Sequence, residues 1–155
     1  MNKQQKSNLA KTAIYLLEKV NPNYFDMRNA ATSLVDGVRT YLGPNEVLKA
    51  NHTCKTACCF LGYAPLALPK AGKGILSWED YAKSVMGTSS YYADWHFLFS
   101  MDWPSNTKQA ASRALFLLEG KNYMELDEED YDFSKTYFTS FSKAKLIERL
   151  SVFVK

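Results

Sequence analysis

Leu9, Ala13, Ile14, Leu16, Leu17 and Val20 recur every three or four residues, a spacing that only an α-helix gathers onto one apolar face. Lys6, Lys11, Glu18 and Lys19 fall on the other side, so about Ser7 to Val20 reads as an amphipathic helix that Asn21-Pro22-Asn23 stops. The same signal returns repeatedly along the chain. A weaker pattern through Ala30, Leu34, Val38, Tyr41 and Leu42 predicts a second helix ending at Gly43-Pro44, with Gly37 as an interior flaw. Asn51 or Thr53 can cap a short helix that carries Cys54, Cys58 and Cys59 through Leu61 and exits at Gly62. Being almost wholly apolar, that helix is expected at the centre of the molecule.

Pro65 to Gly74, with two Pro and two Gly, reads as a surface loop. Ser77 before Trp78-Glu79-Asp80 combines a cap with two carboxylates at a helix start, and Gly87 offers its end. Ser89 or Ser90 opens a further segment, Tyr91 to Phe99, which breaks at Trp103-Pro104-Ser105. The clearest helix follows: Ala110, Ala111, Ala114, Leu115, Leu117 and Leu118 point one way until Gly120. Glu125 to Asp132 holds six carboxylates in eight positions and reads as an acidic surface loop, 125–132. Residues 142–155 form a C-terminal helix with Leu146, Ile147 and Leu150 inward. The expectation is an all-α single domain, 1–155, of six or seven short helices; partial alternation at 131–141 leaves room for a short strand pair there.

A chain of 155 residues can bury about two-thirds of its unfolded surface around one core. With 46% hydrophobic and 23% charged residues it does not fall in the disordered class. No apolar run reaches the roughly 18 residues that span a bilayer, and Met1 to Asn8 lacks the apolar stretch of a secretory signal. An odd number of clustered Cys favours reduced thiols, hence a cytoplasmic protein. The net charge of +3 divides unevenly: residues 1–75 carry ten Lys/Arg against four Asp/Glu, and residues 76–155 carry nine against twelve. A bipolar surface suits a protein partner better than a uniform polyanion.

His52, Cys54, Cys58 and Cys59 are zinc-ligand types, but on a helix Cys59 lies about 100° from the face shared by Cys54 and Cys58, and no second ligand pair follows. Buried apolar packing is the expectation for these thiols, with neither metal nor cofactor. Cys54 near a helix N-terminus is the one position where a thiol nucleophile could arise. The acidic run lacks the ligand alternation and central Gly of a calcium loop. Lys70-Ala71-Gly72-Lys73-Gly74 lacks the Ser/Thr and helix register of a phosphate-cradling loop. Lys3, Lys6 and Lys11 could meet nucleic-acid phosphate, and Tyr91, Tyr92, Trp95 and Trp103 could form an exposed contact patch.

Cys54-Lys55-Thr56-Ala57-Cys58-Cys59-Phe60-Leu61-Gly62-Tyr63-Ala64 resembles a signature of small phage and bacterial helical proteins, of the form Cys-Gly-Thr-x-x-Cys-x-x-Gly-His/Trp-Ala. Phe25-Asp26-Met27 upstream, and Phe97-Leu98-Phe99, Trp103-Pro104 and Ala111 to Leu118 downstream, extend the resemblance over about residues 9–120. Lys55 replaces the Gly, and Tyr63 replaces the His or Trp. The resemblance implies a phage or mobile-element origin but no particular activity. The signature residues Cys54, Thr56, Cys59, Gly62 and Tyr63 read as structural. Together these observations point to a non-enzymatic phage accessory protein that binds a host or defence-system protein. A nucleic-acid or nucleotide binder is the first alternative, and a thiol- or metal-dependent enzyme centred on Cys54 the second.

Overall fold

The structure, a computed structural model, describes residues 1–27, 31–35, 38–49, 56–89, 93–99, 106–122 and 140–154, leaving aside the side chains at 34, 35, 38 and 56–58. The first helix, α1, spans Lys3–Lys19. It begins four residues before the expected start at Ser7 because Asn2 and Gln5 cap each other: Gln5 N–H donates to Asn2 Oδ1 at 2.9 Å and Asn2 N–H to Gln5 Oε1 at 2.8 Å. Asn21 then caps a 3-10 turn, Pro22–Tyr24.

The segment expected to be a second helix is a hairpin. Strands β1 (Ala31–Val35) and β2 (Val38–Tyr41) pair antiparallel with Val35 opposite Val38. The two residues between them are Asp36-Gly37, a pair that two-residue hairpin turns select, and Thr32, Val35, Val38 and Thr40 are β-branched. These local preferences outweigh a helical spacing that rests on five apolar positions.

A short helix α2 (Pro44–Lys49) follows. Part of the Cys-bearing segment is also a strand and not a helix: β3 (Thr56–Cys58) joins the other edge of β1, with Ala31 opposite Cys58, giving the order β2-β1-β3. Helix α3 (Phe60–Ala67) starts only after Cys59 and runs through Gly62 and Pro65, so Gly62 lies in its first turns and the surface turn is confined to residues after Leu68. Burial of Phe60, Leu61, Tyr63 and Ala64 against the core supplies what the Pro and Gly withhold locally.

Ser77 caps α4 (Trp78–Tyr81), which widens into a π-helical segment, Ala82–Met86, and ends at Gly87 with φ 73°. Asn8 and Gln5 of α1 satisfy its carbonyls: Asn8 Nδ2 donates to Val85 O at 2.8 Å, and Gln5 Nε2 approaches Lys83 O at 3.3 Å and Ser84 O at 3.4 Å. Helices α5 (Ala93–Phe99), α6 (Thr107–Leu118) and α7 (Lys143–Ser151) complete the described elements. The fold is thus mostly helical, with seven α-helices among the described residues and a small antiparallel sheet.

The centre belongs to α6 and α1, and not to a Cys helix. Ten of the twelve α6 residues are buried, and α1 packs against α6, α3 and α7. The buried apolar side chains form one cluster drawing on all seven helices and β1. Arg113 lies among them at 1% exposure, and loss of water pulls its guanidinium down to about 10. No helix among the described residues is long and apolar enough to cross a membrane. The acidic run 125–132 lies outside the described residues, as does the 131–141 segment up to residue 139.

Candidate functional site

Three hydrogen bonds build a groove between α2 and the turn after α3. Asn45, on α2, clasps the turn twice, donating from Nδ2 to Ile75 O at 2.9 Å and accepting from Gly74 N–H at 3.2 Å. Trp78 Nε1 donates to Leu42 O at 2.9 Å and ties the start of α4 to the chain entering α2. Below the turn lies the ring of Tyr81, so near that a Cβ on Gly72 would sit 2.5 Å from it. Gly72 itself has φ 65°, a backbone state that glycine adopts without strain.

The groove so held encloses about 850 Å³. Lys49 stands on the α2 wall and Lys70 and Lys73 on the turn, with Leu48, Pro69 and Leu76 as apolar lining. Leu76 is 81% exposed and, beside Leu48 and Pro69, brings apolar surface to the groove. The only carboxylate among the described lining residues, Glu46, accepts from Gly43 N–H at 2.6 Å. Among the described residues none of the three lysines forms an ion pair, so the described lining sets three ammonium groups against one carboxylate beside apolar surface.

The residues singled out in the sequence are placed differently. Lys3 and Lys6 are exposed near the start of α1, while Lys11 is half-buried in a separate shallow depression of about 270 Å³ with Glu18, Lys19 and Val154. Trp95 is half-buried, edge-on to Phe99 at 5.0 Å, and Phe99 in turn meets Phe60 at 5.9 Å, so Trp95 belongs to the rim of the core. Tyr91, Tyr92 and Trp103 lie outside the described residues, as do His52 and Cys54.

Thr56, Cys59, Gly62 and Tyr63 are among the described residues. Cys59, 4% exposed, precedes α3, and burial pushes its thiol up to about 11, which keeps it protonated at neutral pH. Gly62 is buried within α3. Tyr63 donates its hydroxyl to Tyr24 O at 2.9 Å and stacks on Phe25 at 6.4 Å, clasping α3 to the 3-10 turn. Thr56 pairs through its backbone with Ser33. Among the described residues no three His, Cys, Asp or Glu side chains gather as a metal would require.

Sequence reasoning missed Lys49, Lys70, Lys73 and Asn45. The Lys70-Ala71-Gly72-Lys73-Gly74 run is visible in the sequence, but its spacing points to no particular ligand. Lys49 reaches the same groove through tertiary packing of α2 on α3. Comparison with family models, curated proteins and solved structures returns no match to this chain.

Proposed function

We propose that this chain is a non-enzymatic accessory protein, encoded by a phage or mobile element, that works in the host cytoplasm by binding a host or defence-system protein. The observation that carries this reading is the groove at α2, where three lysines without ion-pair partners among the described residues flank an exposed Leu76 on a hydrogen-bonded scaffold. Contact surfaces combine an apolar patch with charge at its rim, and this groove has both. The uneven charge of the two halves of the chain, and the Cys-x-Thr-x-x-Cys-x-x-Gly-aromatic-Ala signature, support the same reading.

The test is affinity capture from a bacterial host lysate with the wild-type chain and with a Lys49→Glu/Lys70→Glu/Lys73→Glu variant in parallel. One protein recovered in stoichiometric amount by the wild type and lost by the variant is the expected result. Equal recovery by both, or co-purification of nucleic acid in place of protein, would contradict the reading.

A further inference from the structure

The lining of the groove says what its occupant must look like. Its cations are all ammonium groups on flexible stems, and its described lining has neither an aromatic ring to stack on a base nor a guanidinium to grip phosphate in a fork. Beside those charges stand Leu48, Pro69 and Leu76, which phosphate or sugar could not cover favourably. A ligand that satisfies both parts carries several carboxylates around at least one bulky apolar side chain. The groove is also pre-formed: Asn45 and the Tyr81 ring fix the turn that bears Lys70 and Lys73 against the helix that bears Lys49. Little ordering of the protein would therefore oppose binding.

We infer that the groove between α2 and the 69–76 turn docks a short acidic peptide segment of the partner protein. Carboxylates lie against Lys49, Lys70 and Lys73, and an apolar side chain covers Leu76 and Leu48. This rests on the partner-binding reading above and specifies the chemistry of its contact.

Fluorescence anisotropy of a labelled ten-residue peptide, rich in Asp and Glu around a central Leu-Phe pair, tests it on the full chain. Saturable binding is expected, weakening by about tenfold or more between 50 and 300 mM salt because the contacts are exposed charge pairs. The Lys49→Glu/Lys70→Glu/Lys73→Glu variant should lose binding. Leu76→Ser should lower affinity by about three- to tenfold while leaving the salt dependence unchanged. An Asn/Gln version of the peptide should not bind. Circular dichroism checks that each variant is folded, and if the triple glutamate variant is not, Lys70→Gln/Lys73→Gln serves in its place with a smaller loss expected.

Absence of saturable binding, binding indifferent to these substitutions, or displacement by ATP or a single-stranded oligonucleotide at lower concentration than by unlabelled peptide would each overturn the inference. If the peptide fails while lysate capture still gives a partner lost on charge reversal, the partner-binding reading stands and only the acidic-segment chemistry falls.

Discussion

Tyr81 supports the groove at a cost. Its hydroxyl is buried with no hydrogen-bond partner among the described residues, and burial pushes its ionisation up, out of reach of neutral pH. An unsatisfied buried hydroxyl costs about 1–3 kcal/mol, whereas the ring supplies the packing under Gly72. Tyr81→Phe should therefore raise the urea midpoint, by about 1 kcal/mol in stability, and leave peptide binding unchanged; destabilisation would show that the hydroxyl is bonded in solution. Cys59 makes a pH-dependent prediction. Below pH 9 its thiol is protonated in both states; between 9 and 11 the unfolded chain releases the proton and the folded chain does not, so stability falls with rising pH across that window. Cys59→Ala should flatten this alkaline slope by about 1 kcal/mol per pH unit, and alkylation of the native protein at pH 8 followed by peptide mapping should leave Cys59 unmodified. Rapid labelling of Cys59 would show that the site opens readily.

The turn between α3 and α4 is the element on which the groove depends. Gly72→Ala would place a methyl group 2.5 Å from the Tyr81 ring at a positive φ, so the turn must shift and the protein should lose about 1–3 kcal/mol. Asn45→Ala releases two hydrogen bonds between α2 and the same turn. It should reduce stability by about 1–2 kcal/mol and also slow-exchange protection at Gly74, which hydrogen exchange can read directly. The elements most legible in the sequence were those with both an apolar period and an end signal. At α6, Asn106 and Gln109 close a capping box and Gly120 ends the helix, as its position suggested. At α7, Ser142 caps a helix whose Leu146 and Leu150 point inward. The hairpin was less legible because its period resembles a weak helix, in which Gly37 reads as an interior flaw, although Asp36-Gly37 is also a sequence pair that two-residue hairpin turns favour. The Cys segment failed for a different reason: the pairing of β3 with β1 joins residues more than twenty apart, and no local signal carries it.

The described elements of the molecule pack around one apolar cluster, with α6 at its centre and α1 laid across it. Arg149 pairs with Glu119 and lies 4.8 Å over the Phe141 ring, so the last helix is fastened to the end of α6 by charge as well as by Leu146 and Leu150. Leu146→Ala should cost about 2–5 kcal/mol, read from urea unfolding, and should lower stability without altering the groove on α2. The mostly helical fold was accessible from periodicity, but the groove was not, since its walls are brought together by helix packing and by side chains binding backbone across about thirty positions of sequence. The central claim is that this groove is the binding face. Titrating the isotope-labelled chain with the acidic peptide while following backbone amide resonances tests it most directly: the account predicts shifts concentrated at 43–49 and 69–76, with α7 unaffected. Shifts centred on the start of α1 or on 93–99, with the groove silent, would contradict it.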